Sequence, residues 1–192
     1  SLKFRSIFVI VFIVVSVVGL FFIAYHNADN LAKDLATYSV DLKLKADANS
    51  ARKYLDSIHG KLSLVNGELR DSFGKPIAGN FEFVDTLHNE LGVVATIFVH
   101  ENDDFKRVST NIIMENGQRA VGTMLGTANA VYASVHEGKK FFGEANILGK
   151  PYVTSYDPIR GETGEVIGII FIGIPQSDIN DLVSSYLKDR KS

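Results

Sequence analysis

Apolar positions open the chain in a block and then change period twice. From Ile7 to Tyr25 it reads IFVIVFIVVSVVGLFFIAY, uncharged and relieved only by Ser16, Gly19 and Tyr25. At about 1.5 Å of rise per residue this run is long enough to cross a bilayer core, and it predicts a transmembrane helix over 7–26. A secretory signal opens in the same way, but its apolar part spans about 7 to 15 residues and ends at a small-x-small site. Here the run is longer and leaves through Phe21, Phe22, Ile23, Ala24, Tyr25 and His26, which favours an uncleaved anchor. Lys3 and Arg5 precede it, and no further lysine or arginine comes before Lys33. The positive-inside rule therefore leaves residues 1–6 in the cytoplasm and everything after 26 in the periplasm or outside the cell.

Next comes a helical period. Between Asn27 and His59 there is no Pro or Gly, and Leu31, Leu35, Tyr38, Leu42 and Ala46, then Tyr54, Leu55 and Ile58, recur at intervals of three and four. This predicts a membrane-proximal helix over 27–60, about nine turns long, continuing out of the membrane. The first half of its stripe has no evident partner near the bilayer; it suits either a second copy of the chain or the chain's own domain.

From Lys61 the texture becomes short segments punctuated by glycine. LSLV-Asn66-Gly67-ELR reads as a hairpin with a type I′ turn. A short helix is expected over Phe83–Leu91, closed by Gly92, and a second over Asn129–Glu137, ended by Gly138. Strands are expected at Val93–Val99, from Phe105 to Thr110, and at Phe141–Ile147, Tyr152–Ile159 and Val166–Ile174, with turns at HENDD, Asn116-Gly117, Gly149-Lys150-Pro151 and GETG. VIGIIFIGI is too short to span a membrane, and its β-branched content reads as a central strand covered on both faces. Pro175 stops it, and a helix over 176–192 presents Ile179, Leu182, Val183, Tyr186 and Leu187 on one side. The fold class is α+β: helix, antiparallel sheet with helical insertions, helix.

Composition narrows the functions. Beyond the anchor about 165 of the 192 residues remain, one domain over 61–175 with its flanking helices. Lys and Arg number 20 against 22 Asp and Glu, with no basic stripe, which speaks against nucleic acid. Cysteine is absent, which removes disulfides, thiolate metal sites and thiol nucleophiles. There is no GxSxG, P-loop or HExxH, and the histidines at 26, 59, 88, 100 and 136 lack ligand spacing, so neither catalysis, nor a metal, nor a cofactor is expected. His100, Glu101, Asp103 and Asp104 lack the ligand alternation of a calcium loop and read as a solvated hairpin tip.

Two polar rows carry candidate chemistry. On a regular strand FKRVSTNI places Arg107, Ser109 and Asn111 on one face, with Val108, Thr110 and Ile112 on the other. A guanidinium fork flanked by hydroxyl and amide groups suits a small carboxylate; the same spacing also describes a solvent-facing row. In KPYVTSYDPI, Tyr152, Thr154 and Tyr156 share a face, as ligand-closing phenols or as ordinary sheet core. Arg119, Thr123, Tyr132 and Lys150 are further candidates in turns or helices.

The segments VVATIFVHENDDFKRVSTNI, NGQRAVGTML, AVYASVHEGKKFFGEANILGKPYVTSYDPI and GETGEVIGIIFIGIP, in that order, resemble the single Cache sensor domain of bacterial methyl-accepting chemotaxis proteins, of the Cache 3/Cache 2 fusion type, from about Phe83 to Pro175. The resemblance implies a PAS-like antiparallel sheet on the long N-terminal helix, a homodimer, and a ligand that shifts the terminal helix toward a second membrane helix, a HAMP region and a signalling region. It also implies small-molecule ligands, with acetate-like or propionate-like carboxylates first, and a pocket drawn from Arg107, Ser109, Thr110, Asn111, Arg119, Tyr132, Lys150, Tyr152, Thr154 and Tyr156.

The chain begins with Ser and stops at Ser192 without an effector, and the expectation is the input half of a receptor whose second membrane helix follows Lys188. The leading expectation is the extracytoplasmic sensor of a chemoreceptor in the inner membrane. The alternatives are the sensor of a membrane histidine kinase or diguanylate cyclase, and a tethered structural or adhesion domain.

Overall fold

The computed structural model describes residues 2–189, and side chains from 14 to 185 except those of 26, 29, 32, 33, 182 and 183. The start of the expected span 7–26, and the C-terminal positions Leu182, Val183, Tyr186 and Leu187, fall outside the described side chains. Among the described residues no helix is long and apolar enough to cross a membrane.

Helix α1 (Leu2–His59) is continuous, as its lack of Pro and its single Gly19 allow. It ends where Gly60 turns left-handed (φ 63°) and donates to the Asp56 carbonyl (3.0 Å). A Cβ on Gly60 would lie 2.4 Å from Ser72 Oγ, so only glycine fits this corner. The helix carries two apolar stripes rather than one. Leu31, Leu35, Tyr38 and Leu42 are exposed, whereas Val40, Leu44, Ala48, Ala51 and Leu55 are buried in the domain. Leu42 and Leu44 are two residues apart, close to opposite sides of a helix. Tyr54 flanks the buried stripe and stacks on Phe83 at 5.8 Å between ring centroids.

The hairpin β1 (Ser63–Val65) and β2 (Glu68–Arg70) turns at Asn66 and Gly67, both at positive φ, as read from Asn-Gly. Helix α2 (Glu82–Leu91) leads into β3 (Val94–Glu101) and β4 (Asp104–Thr110); helix α3 (Ala130–His136), capped by the Asn129 side chain, precedes β5 (Phe141–Ile147), β6 (Lys150–Arg160) and β7 (Val166–Pro175). Helix α4 spans Gln176–Asp189. The five strands form one antiparallel sheet in the order β4-β3-β7-β6-β5. VIGIIFIGI is its central strand, and residues 167–173 are all buried. Gly168 is required there: a Cβ would lie 2.4 Å from the Phe98 carbonyl oxygen of β3.

One face of the sheet packs on α1 and α2 through Leu44, Ala51, Leu55, Phe83, Leu87, Ile97, Ile170 and Ile172. The other packs under α3 and the 112–125 loop through Phe98, Phe105, Val131, Val135, Tyr156, Ile169 and Phe171. Residues 120–125 line the outer edge of β4, with Arg107 N–H donating to the Thr123 carbonyl (2.9 Å) and Leu125 N–H to the Phe105 carbonyl (2.8 Å).

Strand β5 pairs with β6 only as far as Phe141↔Tyr156, which leaves the next residues of β6 without a strand on that side. Arg52 of α1 fills the gap. Its Nη2 donates to the carbonyls of Asp157 (3.2 Å) and Pro158 (2.8 Å) and its Nε to the Asp157 carboxylate (3.0 Å), which Lys140 also meets at 3.1 Å. Pro158 fits here because its carbonyl faces this edge and no strand asks for its missing N–H. Replacing Arg52 by Ala leaves two carbonyls without this donor and the buried Asp157 carboxylate with Lys140 alone; the expected loss is about 2 kcal/mol in urea-unfolding free energy. Lys45→Ala, which removes the exposed pair with Asp41, should cost no more than about 0.5 kcal/mol in the same assay. Equal effects would refute the edge-filling role.

Candidate functional site

The register of β4 decides which polar residues meet. Arg107 lies opposite Phe98 but Ser109 lies opposite Ile97, so Val108 is an extra residue in β4, a β-bulge. Regular alternation is broken there, and the expected row of Arg107, Ser109 and Asn111 is split between faces. Arg107 and Thr110 face the α3 side. Ser109 and Asn111 face the helix side, where Ser109 Oγ donates to the Asn80 carbonyl (2.6 Å) and Asn111 Nδ2 to the Val84 carbonyl (2.7 Å), while Asn111 Oδ1 accepts from Ala95 N–H (2.7 Å). These two residues hold α2 and its approach against the sheet.

On the α3 side the registers align Thr110, Thr96, Phe171, Tyr156 and Phe141 across all five strands, with Arg107, Phe98 and Ile169 in the neighbouring row. The backbones of Arg107 and Tyr156 are three strand spacings apart, about 14 Å, so both long side chains reach inward over Phe98 and Phe171. Arg107 is 4% exposed and Tyr156 0%. The guanidinium lies 4.8 Å from the Phe98 ring centroid, and its Nη1 donates to Thr123 Oγ1 (2.7 Å) and the Met124 carbonyl (3.3 Å). Its Nε and the Tyr156 hydroxyl are buried and have no hydrogen-bond partner among the described residues. Most buried polar groups are bonded, so two such atoms on one face mark an unfinished site.

Burial also perturbs both groups. It pushes the Tyr156 phenol well above its usual range, against the opposing pull of the Arg107 charge. Arg107 is in turn held below its ordinary value by desolvation, with Tyr156 opposing. No carboxylate pairs with Arg107 among the described residues. The buried acids are engaged elsewhere: Asp47 with Lys43, Asp71 beside His59 at 3.6 Å, and Asp157 with Arg52 and Lys140.

The remaining candidates divide. Tyr152 and Thr154 share the face of Tyr156 as expected, but Thr154 Oγ1 donates to the Gly143 carbonyl (2.7 Å). Thr110 Oγ1 is bonded to Thr96 Oγ1 (2.7 Å). Arg119 forks onto Asp85 (2.8 and 2.9 Å), donates to the Thr110 carbonyl (2.8 Å) and covers the Phe81 ring at 4.4 Å, which ties α2 to the loop. Tyr132 donates to the Asp103 carbonyl (2.6 Å) and stacks on His136. Lys150 is exposed on a cleft of about 560 Å³ whose walls include Ile112, Ile147, Leu148 and Tyr152.

That cleft depends on a turn the sequence spacing misplaces. The β5–β6 turn is Leu148-Gly149, both at positive φ, so Lys150 and Pro151 already belong to β6. A leucine in this conformation costs about 1 kcal/mol, and its side chain is half exposed at the cleft. Tyr152 joins cleft to core: its phenol is pushed up by burial and further by the charge of Asp178 on α4. Phe98, Phe141 and Phe171 share the face of Arg107 and Tyr156 and escape a reading that seeks polar rows, because aromatic strand residues look like core.

Because the folded chain holds the Tyr156 proton more tightly than the unfolded one, this phenol contributes stability that is complete below its usual value of 10.0 and declines as pH rises through it. Unfolding free energy should therefore fall between about pH 9 and about pH 11, and less steeply in Tyr156→Phe. Identical slopes in the two proteins would contradict the assignment; Tyr152 supplies a residual slope.

Partial likenesses occur among solved structures. The ligand-binding domain of the Campylobacter jejuni chemoreceptor Tlp3 in complex with L-valine is 13% identical, with 83% of this chain and 64% of that one covered and a TM-score of 0.46. The E. coli DcuS sensor domain is 15% identical (53% and 69% covered, TM-score 0.38), and the A. aeolicus nlh2 GAF domain in an inactive state is 18% identical (55% and 74%, TM-score 0.38). No curated protein matches the chain significantly. The Cache 3/Cache 2 fusion domain matches residues 48–191, the whole sheet with α4 and the C-terminal end of α1, and the chain belongs to this family of ligand-binding sensor domains.

Proposed function

We propose that the chain is the extracytoplasmic sensor of a membrane-anchored receptor of the chemotaxis type, and that it binds a small organic anion at Arg107 and Tyr156. One observation carries this reading: a buried guanidinium and a buried phenol, electrostatically coupled, each with an unused hydrogen-bonding atom. A desolvated cation without a counter-charge is costly, and a ligand carboxylate supplies both the charge and an acceptor for Nε and the hydroxyl.

The path outward is short. Tyr152 senses Asp178 in the first turn of α4, and β7 passes at Pro175 directly into that helix. In this reading residues 1–6 are cytoplasmic, 7–26 span the membrane, 27–60 form the stalk, 61–175 bind ligand and 176–192 lead toward a second membrane helix. The uncharged run Ile7–Tyr25 supports the anchor, and the exposed stripe Leu31, Leu35, Tyr38 and Leu42 supports a homodimer.

Propionate should raise the melting temperature of the 192-residue chain saturably, by mass action on the folded state, and Arg107→Ala should abolish the shift. If no small carboxylate, propionate included, shifts the wild type, or Arg107→Ala responds unchanged, the anion site is wrong. A single cysteine at Leu35 should crosslink two copies in membranes that retain the chain after an alkaline wash. Release by the wash would refute the anchor, and crosslinking no better than from an exposed cysteine at Lys45 would refute the paired stripe.

A further inference from the structure

The chain has no cysteine and no tryptophan, and its two methionines, Met114 and Met124, both fall in the 112–125 segment that covers the α3 side of the sheet. Its most easily oxidised groups are therefore two thioethers, and both sit in one cover. We propose that Met114 is an oxidation site at which a peroxide loosens this cover, and that Met124 takes up oxygen without structural effect. Neither effect depends on the anion site at Arg107 and Tyr156.

The two side chains differ in their surroundings. Met124 is 40% exposed and lies outside both core clusters; its backbone carbonyl, not its thioether, meets Arg107. Met114 is half-buried and packs against the cluster that holds Ile112, Ala120, Tyr152 and Tyr156. It also lines the cleft of about 560 Å³ beside Lys150 and Tyr152. A small oxidant reaches it from solvent through that cleft, while a change in its polarity is felt by the core.

The backbone gives Met114 little freedom to withdraw. Its N–H donates to the Gln118 carbonyl (2.8 Å) and its carbonyl accepts from Gly117 N–H (2.9 Å), which closes the Asn116-Gly117 turn. Ile113 bridges to Arg119, whose guanidinium forks onto Asp85 of α2, and Ala120 N–H donates to the Ile112 carbonyl (2.9 Å). Met114 is thus carried on a short hairpin braced against α2.

The reaction is a two-electron oxygen transfer. A lone pair of Met114 Sδ attacks one peroxide oxygen, and the S–O bond forms as the O–O bond breaks. The second oxygen leaves as water with the proton of the first, so that sulfur is oxidised and peroxide reduced. The sulfoxide exchanges a flexible apolar side chain for a polar one with a strong acceptor. Seated against an apolar cluster such a group is costly, and the exposed Lys150 ammonium on the same cleft draws it outward.

Hydrogen peroxide titrated onto the 192-residue chain in detergent, well below its melting temperature, tests this. Peptide mass spectrometry reads the oxygen on each methionine, and thermal melting is read on the same samples. Expected is one oxygen on Met124 first, with the melting temperature unchanged, then one on Met114 with a fall of about 3 °C that tracks it. Leucine conserves the volume of methionine, so both single variants should fold. Met114→Leu should keep its melting temperature when Met124 is fully oxidised, and Met124→Leu should show the whole fall. Met114 left unoxidised when Met124 is complete, Met114 oxidised with no fall, or an equal fall in Met114→Leu, overturns the proposal.

Discussion

A guanidinium enclosed beneath one face of a β-sheet, with no carboxylate paired to it among the described residues, is the constraint around which this domain is arranged. Burial of Arg107 is tolerated because three groups share its charge: the Phe98 ring, the Thr123 hydroxyl and the Met124 carbonyl. Two of the three come from the 120–125 segment that runs along the edge of β4, so the same segment that closes the sheet also holds the cation. What these groups do not supply is negative charge. That deficit, with the unused Tyr156 hydroxyl, is what the proposed anion would answer.

The two faces of the sheet are joined through adjacent residues, and the proposed sensing role draws on that connection. Tyr156 looks into the site while Asp157, one residue on, is clamped by Arg52 of α1. Tyr152 lines the cleft and lies within the field of Asp178 on α4. Residues of β6 on the two faces are thus in direct contact with α1 and within the field of α4, the short path that the proposed sensor would use. The core between them is tightly filled: Gly168 leaves no room for a methyl group between β7 and β3.

Local signals were strong where chemistry is local. Asn-Gly placed the β1–β2 turn, Gly92 closed α2, and VIGIIFIGI is the central strand. Tyr152, Thr154 and Tyr156 share a face because β6 is regular over that stretch. Regular alternation puts Arg107, Ser109 and Asn111 in one row, but one extra residue at Val108 splits it, and the sequence RVST carries no mark of that bulge. The stripe on α1 was likewise read as one when there are two: helical period identifies apolar positions, not which of them meet a partner.

By itself the sequence determined the inventory of elements, the absence of thiol chemistry, the apolar N-terminal run and the presence of arginine and tyrosine in strands, because each depends on composition or on neighbours within a few residues. Only the tertiary structure decided which polar residues became structural and which were left with unused bonds. Ser109, Asn111 and Arg119 found partners far along the chain and Thr154 one on the neighbouring strand, while Arg107 Nε and the Tyr156 hydroxyl have none among the described residues. The reason is that hydrogen-bond satisfaction is a property of packing: it is settled by register, bulges and the loops that close over a face, none of which a periodicity contains.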